Sequence, residues 1–115
     1  MRDSLLVFRN PGRLMAVLPA VLVGSGVELA PGSVQWMDDG IKAEAVPTPL
    51  SWWGDHLQVR LHPDEGGTTV VEFVSHYNGI AGFTDLDNVL KMRSSFKRTM
   101  KTLGVNVAWG SPRIN

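Results

Sequence analysis

The chain has 115 residues, 43% of them hydrophobic and 19% charged, which fits one globular domain and is too apolar for intrinsic disorder. Eleven Lys and Arg balance eleven Asp and Glu, so no overall basic excess points to nucleic acid or a membrane surface. The sequence has no cysteine, which removes disulfides, thiolate nucleophiles and cysteine-bearing zinc sites.

Leu5 to Phe8 reads as a short strand, and Asn10-Pro11-Gly12 punctuates it. Asn10 is a candidate helix N-cap and Pro11 a first helical residue, where its missing N–H costs nothing. The helix runs toward Val23 and ends at Gly24 or Gly26, with Pro19 kinking or shortening it. Leu14, Leu18, Val21 and Leu22 share one side, which should face a sheet. The same stretch also has the outline of a secretory signal, with Arg2, Arg9 and Arg13 before the apolar run 14–23 and small residues after it. That run is too short to span a bilayer, which takes about 20 apolar residues. The separate block at 5–8 favours strand plus buried helix, and with it a cytoplasmic location. The alternative is export, if residues 1–26 are a signal peptide.

The middle is strand and turn. Ser33 to Met37 alternates, with Val34 and Trp36 on one side, and Asp38-Asp39-Gly40 is a hairpin signal resting on positive φ at the glycine. Ile41, Ala43 and Ala45 form the return strand, which Val46-Pro47-Thr48-Pro49 breaks. Leu57, Val59 and Leu61 alternate with Gln58, Arg60 and His62 in a half-buried strand. After the loop 63–67, Val71, Phe73, Ser75 and Tyr77 fall on one side of the next strand, with Glu72, Val74 and His76 on the solvent-leaning side.

Residues 77–82 read as a flexible connection to a long helix capped by Thr84, with Asp87 as an aspartate form of the capping box. Its apolar stripe reads as Leu86, Val89, Leu90, Phe96, Met100 and Leu103, and Gly104 ends it. Val105 to Trp109 is a last short strand or an ordered tail. The fold class is therefore α+β over a single domain, 1–115. An antiparallel sheet of about five strands packs in two layers on an N-terminal helix and a long C-terminal helix.

Ser51-Trp52-Trp53-Gly54-Asp55, the alternating hairpin and the basic last helix resemble small uncharacterised bacterial α+β domains with a Trp-Gly-Asp or Trp-Gly-Glu step. The order also resembles a shortened START-like helix-grip domain, over residues 50 to 103. The second resemblance implies a pocket for a small apolar ligand; neither implies a catalytic residue or a cofactor.

The residues offer few constellations for chemistry. Trp52 and Trp53 read either as a binding wall or as packing at the sheet edge, with Gly54 turning the chain into the strand. A helix-grip pocket would be walled by Trp52, Trp53, Phe73, Tyr77 and Phe96, with Asp55 or His76 as polar handle. If Pro63 pairs with Thr69, then His56 falls opposite His76 and Arg60 opposite Glu72. The two imidazoles are then candidate metal ligands with Glu72 or Asp55, although Asp55 has the opposite parity. The plainer reading is a polar face with an Arg60–Glu72 ion pair. No Gly-x-Ser-x-Gly elbow occurs, and the glycines before the last helix lack the rest of a phosphate-loop pattern.

Residues 84–104 carry a net charge of +3 and the remainder −3. This basic helix is either a solvated face or a surface for RNA or phospholipid. The leading expectation is a non-enzymatic interaction module that self-associates as a homodimer, motivated by Trp36, Trp52, Trp53 and Trp109. The alternatives are the apolar-ligand pocket, with or without enzymatic activity, and nucleic-acid binding through the last helix. No membrane span is expected.

Overall fold

A computed structural model describes residues 2–47, 54–77 and 83–108. The chain forms β1 (Arg2–Val7), α1 (Pro11–Leu14), a 3-10 turn (Met15–Val17), α2 (Leu18–Gly24), β2 (Gln35–Met37) and β3 (Gly40–Glu44). It continues with β4 (Asp55–Pro63), a 3-10 turn (Glu65–Gly67), β5 (Thr69–Tyr77), α3 (Phe83–Leu103) and β6 (Val107–Ala108). The described strands form one sheet in the order β2-β3-β4-β5-β1-β6 with antiparallel neighbours. The helices cover one of its faces, so the architecture is the expected two-layer α+β with six strands instead of about five.

The core lies between the layers. Alternation sends Leu57, Val59 and Leu61 of β4 inward with Val71 and Phe73 of β5 and Leu5 and Val7 of β1. Leu14 of α1 and Leu18, Val21 and Leu22 of α2 meet them, as the helical spacing required. The N-terminal helix is divided where Pro19 falls. The 3-10 turn ends the first piece and α2 restarts with Pro19 in its first turn, where no N–H is needed. Asn10 has the extended backbone of a cap, but its side chain makes no capping bond.

Three local expectations are corrected. Gly40 has no positive φ; it belongs to β3, and a Cβ there would run into the Val59 carbonyl oxygen, so close strand approach requires the glycine. The inward stripe of α3 is Val89, Met92, Phe96 and Met100, whereas Leu86, Leu90 and Leu103 are exposed. The phase is set by Met92, which the expected stripe omitted. α3 also begins at Phe83, one residue before the expected Thr84 cap, and the Thr84 side chain lies outside the described set.

Candidate functional site

Gly54 determines how the chain enters β4. Its φ is +71°, and a Cβ would press on the Ala45 carbonyl oxygen, so only glycine fits both the turn and the approach. The Ala45 N–H then donates to the Asp55 carbonyl at 2.9 Å, and Asp55 takes an inward position in register with Tyr77. Its carboxylate thus stands at the end of the row continued by Leu57, Val59 and Leu61.

Asp55 is 3% exposed and Asn88, from the first half of α3, is 6% exposed. Asn88 Nδ2 donates to Asp55 Oδ2 at 2.6 Å and lies 3.5 Å from Oγ of the buried Ser75. The cluster ties the ends of β4 and β5 to α3. Leaving a carboxylate unmatched there would be costly, so the amide stabilises the inward Asp55. Next along the layer, Phe73 and Phe96 are fully buried, with ring centroids 5.6 Å apart in an edge-to-face contact.

These positions divide the expected pocket residues. Asp55, Phe73 and Phe96 share the helix side as buried groups, whereas His76 is exposed on the opposite face, so it is no handle for a pocket between the layers. Tyr77 ends β5 across from Asp55, and its side chain lies outside the described set. Trp52, Trp53 and Trp109 also lie outside the described residues. Asn88 was the site residue missing from the sequence reading. The signal was a charged residue at the head of an inward-facing alternation, which demands a polar partner from the covering helix.

On the face away from the helices, the expected register holds: His56 pairs with His76, Arg60 with Glu72, and Pro63 with Thr69. The expected Arg60–Glu72 ion pair does not form. Arg60 donates to Asp39 Oδ2 at 2.7 and 3.1 Å, and this bond and charge push its pKa up further. Glu72 is 2% exposed despite its expected solvent-leaning position, and its Oε1 lies 3.4 Å from His62 Nε2. It sits on a central strand between Arg60 and Ser4. His56 turns toward Glu44 at 3.4 Å. Among the described residues, no three His, Asp or Glu side chains gather as metal ligands.

Two surface clefts accompany these clusters. One, of ≈ 460 Å³, lies beside the β2 edge and is polar, with Ser33, Gln35, Lys42, Glu44, His56 and Gln58 in its lining. The other, also ≈ 460 Å³, lies where α3 ends and the chain returns toward β6, with Lys97, Arg98 and Lys101 on one side. No described helix is long and apolar enough to cross a membrane. No protein-family model matches the chain, and no curated protein does.

Proposed function

We propose that this protein is a non-enzymatic binding and interaction module that self-associates, with two copies meeting at the β2 edge. Trp36 supports this reading: it stands on the outermost strand with 55% of its surface exposed, beside Val34 at 43%. Among the described strands, β2 pairs with β3 alone. Such an edge can pair with its own copy across a two-fold axis.

A Trp side chain buries about 150–250 Å², so covering the exposed part of Trp36 yields roughly 2–3 kcal/mol per copy. Association costs at least about 4 kcal/mol, so the expected dimer is weak and concentration-dependent. Light scattering from low to high micromolar protein tests this. The wild type should move from monomer toward dimer, and Trp36→Lys should remain monomeric. A wild-type monomer throughout would overturn the reading. A cytoplasmic location fits it, because the residues an export signal would remove include β1, which pairs with β5 at six positions.

The buried Asp55–Asn88–Ser75 cluster favours a second reading, a helix-grip site for a small, mainly apolar ligand with one polar group. A ligand panel should then raise the melting temperature of the wild type and lose that effect in Asp55→Asn. No shift with any member of the panel would remove this reading.

A further inference from the structure

We propose that the polar cleft beside the β2 edge binds a free α-amino acid. Lys42, with the side-chain amides of Gln35 and Gln58, would hold the carboxylate, and Glu44 the ammonium group. The cleft is a consequence of how the outer strand is interrupted. Leu29 bridges to Ala45, and β2 pairs with Gly40, Ile41 and Lys42, so both segments run along the same edge of β3. Between them Ala30–Ser33 forms a turn, with Gly32 at φ +72° and the Ser33 N–H donating to the Ala30 carbonyl at 3.1 Å. The Ala30 N–H donates to the Glu44 carbonyl at 2.8 Å, and Ser33 Oγ accepts from the Glu44 N–H at 3.1 Å. These bonds pin the turn against β3 and make it one wall of the cleft.

The floor is a row fixed by strand register. Gln35 of β2 pairs with Lys42 of β3, and Lys42 with Gln58 of β4. All three line the cleft on the face away from the helices, an exposed cation between two carboxamides. Neighbouring Cβ atoms in such a row are about 4.5–5.5 Å apart. A carboxylate accepts hydrogen bonds from an ammonium and from amide N–H groups, and the charge-assisted bond is the stronger kind. The next row holds Glu44 and His56, whose Nδ1 lies 3.4 Å from Glu44 Oε1. Two residues of strand separate the rows, about 6.8 Å.

A plain anion suits this lining poorly, because the Glu44 carboxylate stands one row from Lys42 and repels it. A zwitterion matches both charges. Its carboxylate and ammonium are held on one carbon atom, and with hydrogen bonds of about 2.8 Å at either end they bridge rows about 6.8 Å apart. At ≈ 460 Å³ the cleft has the share of roughly fifteen waters, room for an amino acid with its side chain along Ala30, Pro31 and Gly32. Trp36 pairs with Ile41 and has the opposite parity to Gln35, so the cleft floor and the exposed Trp36 lie on opposite sides of the sheet.

The test is an amide NMR titration of the full chain, at fixed protein concentration, with L-alanine, L-serine, L-leucine and L-glutamine. The N-acetyl and carboxamide derivatives of each are the controls, since the first lacks the ammonium charge and the second the carboxylate. At least one amino acid should give saturable shifts centred on residues 30–35, 42–44 and 56–58, with both of its derivatives about tenfold weaker. Lys42→Gln should weaken the free amino acid about tenfold and leave its carboxamide derivative nearly unchanged. Glu44→Gln should weaken it similarly and leave the N-acetyl derivative nearly unchanged. Both side chains are exposed, so the melting temperature should hold. Gln58→Ala is the further probe if either variant fails to fold, and it should also weaken the free amino acid. No shift in the cleft with any of the four, derivatives that bind as tightly as their parent, or binding that survives the substitutions would overturn the proposal.

Discussion

Replacing Asn88 by Ala probes the Asp55 cluster directly. The substitution removes the 2.6 Å donor to a carboxylate that is 3% exposed and leaves space beside Ser75. A hydrogen bond to a charged group contributes about 1.5–3 kcal/mol, so Asn88→Ala should destabilise the fold by about 2–3 kcal/mol. Asp55→Ala should cost a similar amount, because it takes from the Asn88 amide its 2.6 Å acceptor and leaves only the 3.5 Å approach to Ser75 Oγ. Asp55→Ala/Asn88→Ala should cost clearly less than the sum of the two, with a coupling of about 1.5–3 kcal/mol, since neither polar group is then left behind. Urea denaturation measures all four species, and the comparison holds while the m-values agree. A coupling below about 0.5 kcal/mol would refute the reasoning, because that is the range for independent sites.

Phe96→Ala should cost about 3–5 kcal/mol in the same assay, through the cavity it leaves against Phe73. Gly54→Ala should cost more than Gly104→Ala. Both positions need positive φ, but only Gly54 also lies against a carbonyl oxygen, that of Ala45, and the ranking is read from denaturation midpoints. For Lys97, a folded-state pKa below the unfolded value means that folding disfavours its charge at neutral pH. The penalty fades as pH rises through the folded pKa toward the ordinary value of about 10.4. Lys97→Met should therefore melt no lower than the wild type at pH 7, and the wild type should gain on it as pH rises toward the ordinary lysine value. A lysine variant that loses stability at neutral pH would contradict this.

The strands were legible from period-two alternation, but alternation alone leaves register open to shifts of two residues, so the pairing was conditional. A single pairing, Pro63 with Thr69, put His56 opposite His76. Side-chain partners were less legible. Arg60 is long enough to reach either Glu72 or Asp39, and the choice depends on the hairpin turn that brings Asp39 to it. Helix phase failed for a related reason. α3 carries apolar residues around much of its surface, and the buried set is chosen by the groove that Phe73 and Val21 offer, not by hydrophobicity alone. Asp55 was seen as a polar handle, but its burial by Asn88 required knowing which side of α3 faces the sheet. Gly40 was read as a turn residue with positive φ, whereas its place in β3 rests on the approach of Val59. A close strand approach is invisible to a turn rule that reads only φ.

The most direct test of self-association is a dilution series of amide NMR spectra, recorded with light scattering on the same samples. Interface amides should shift with concentration in step with the rise in mass, and the shifts should centre on Val34, Gln35, Trp36 and Met37. An invariant spectrum at a constant monomer mass would contradict the central claim, as would a dimer whose shifts lie away from the β2 edge.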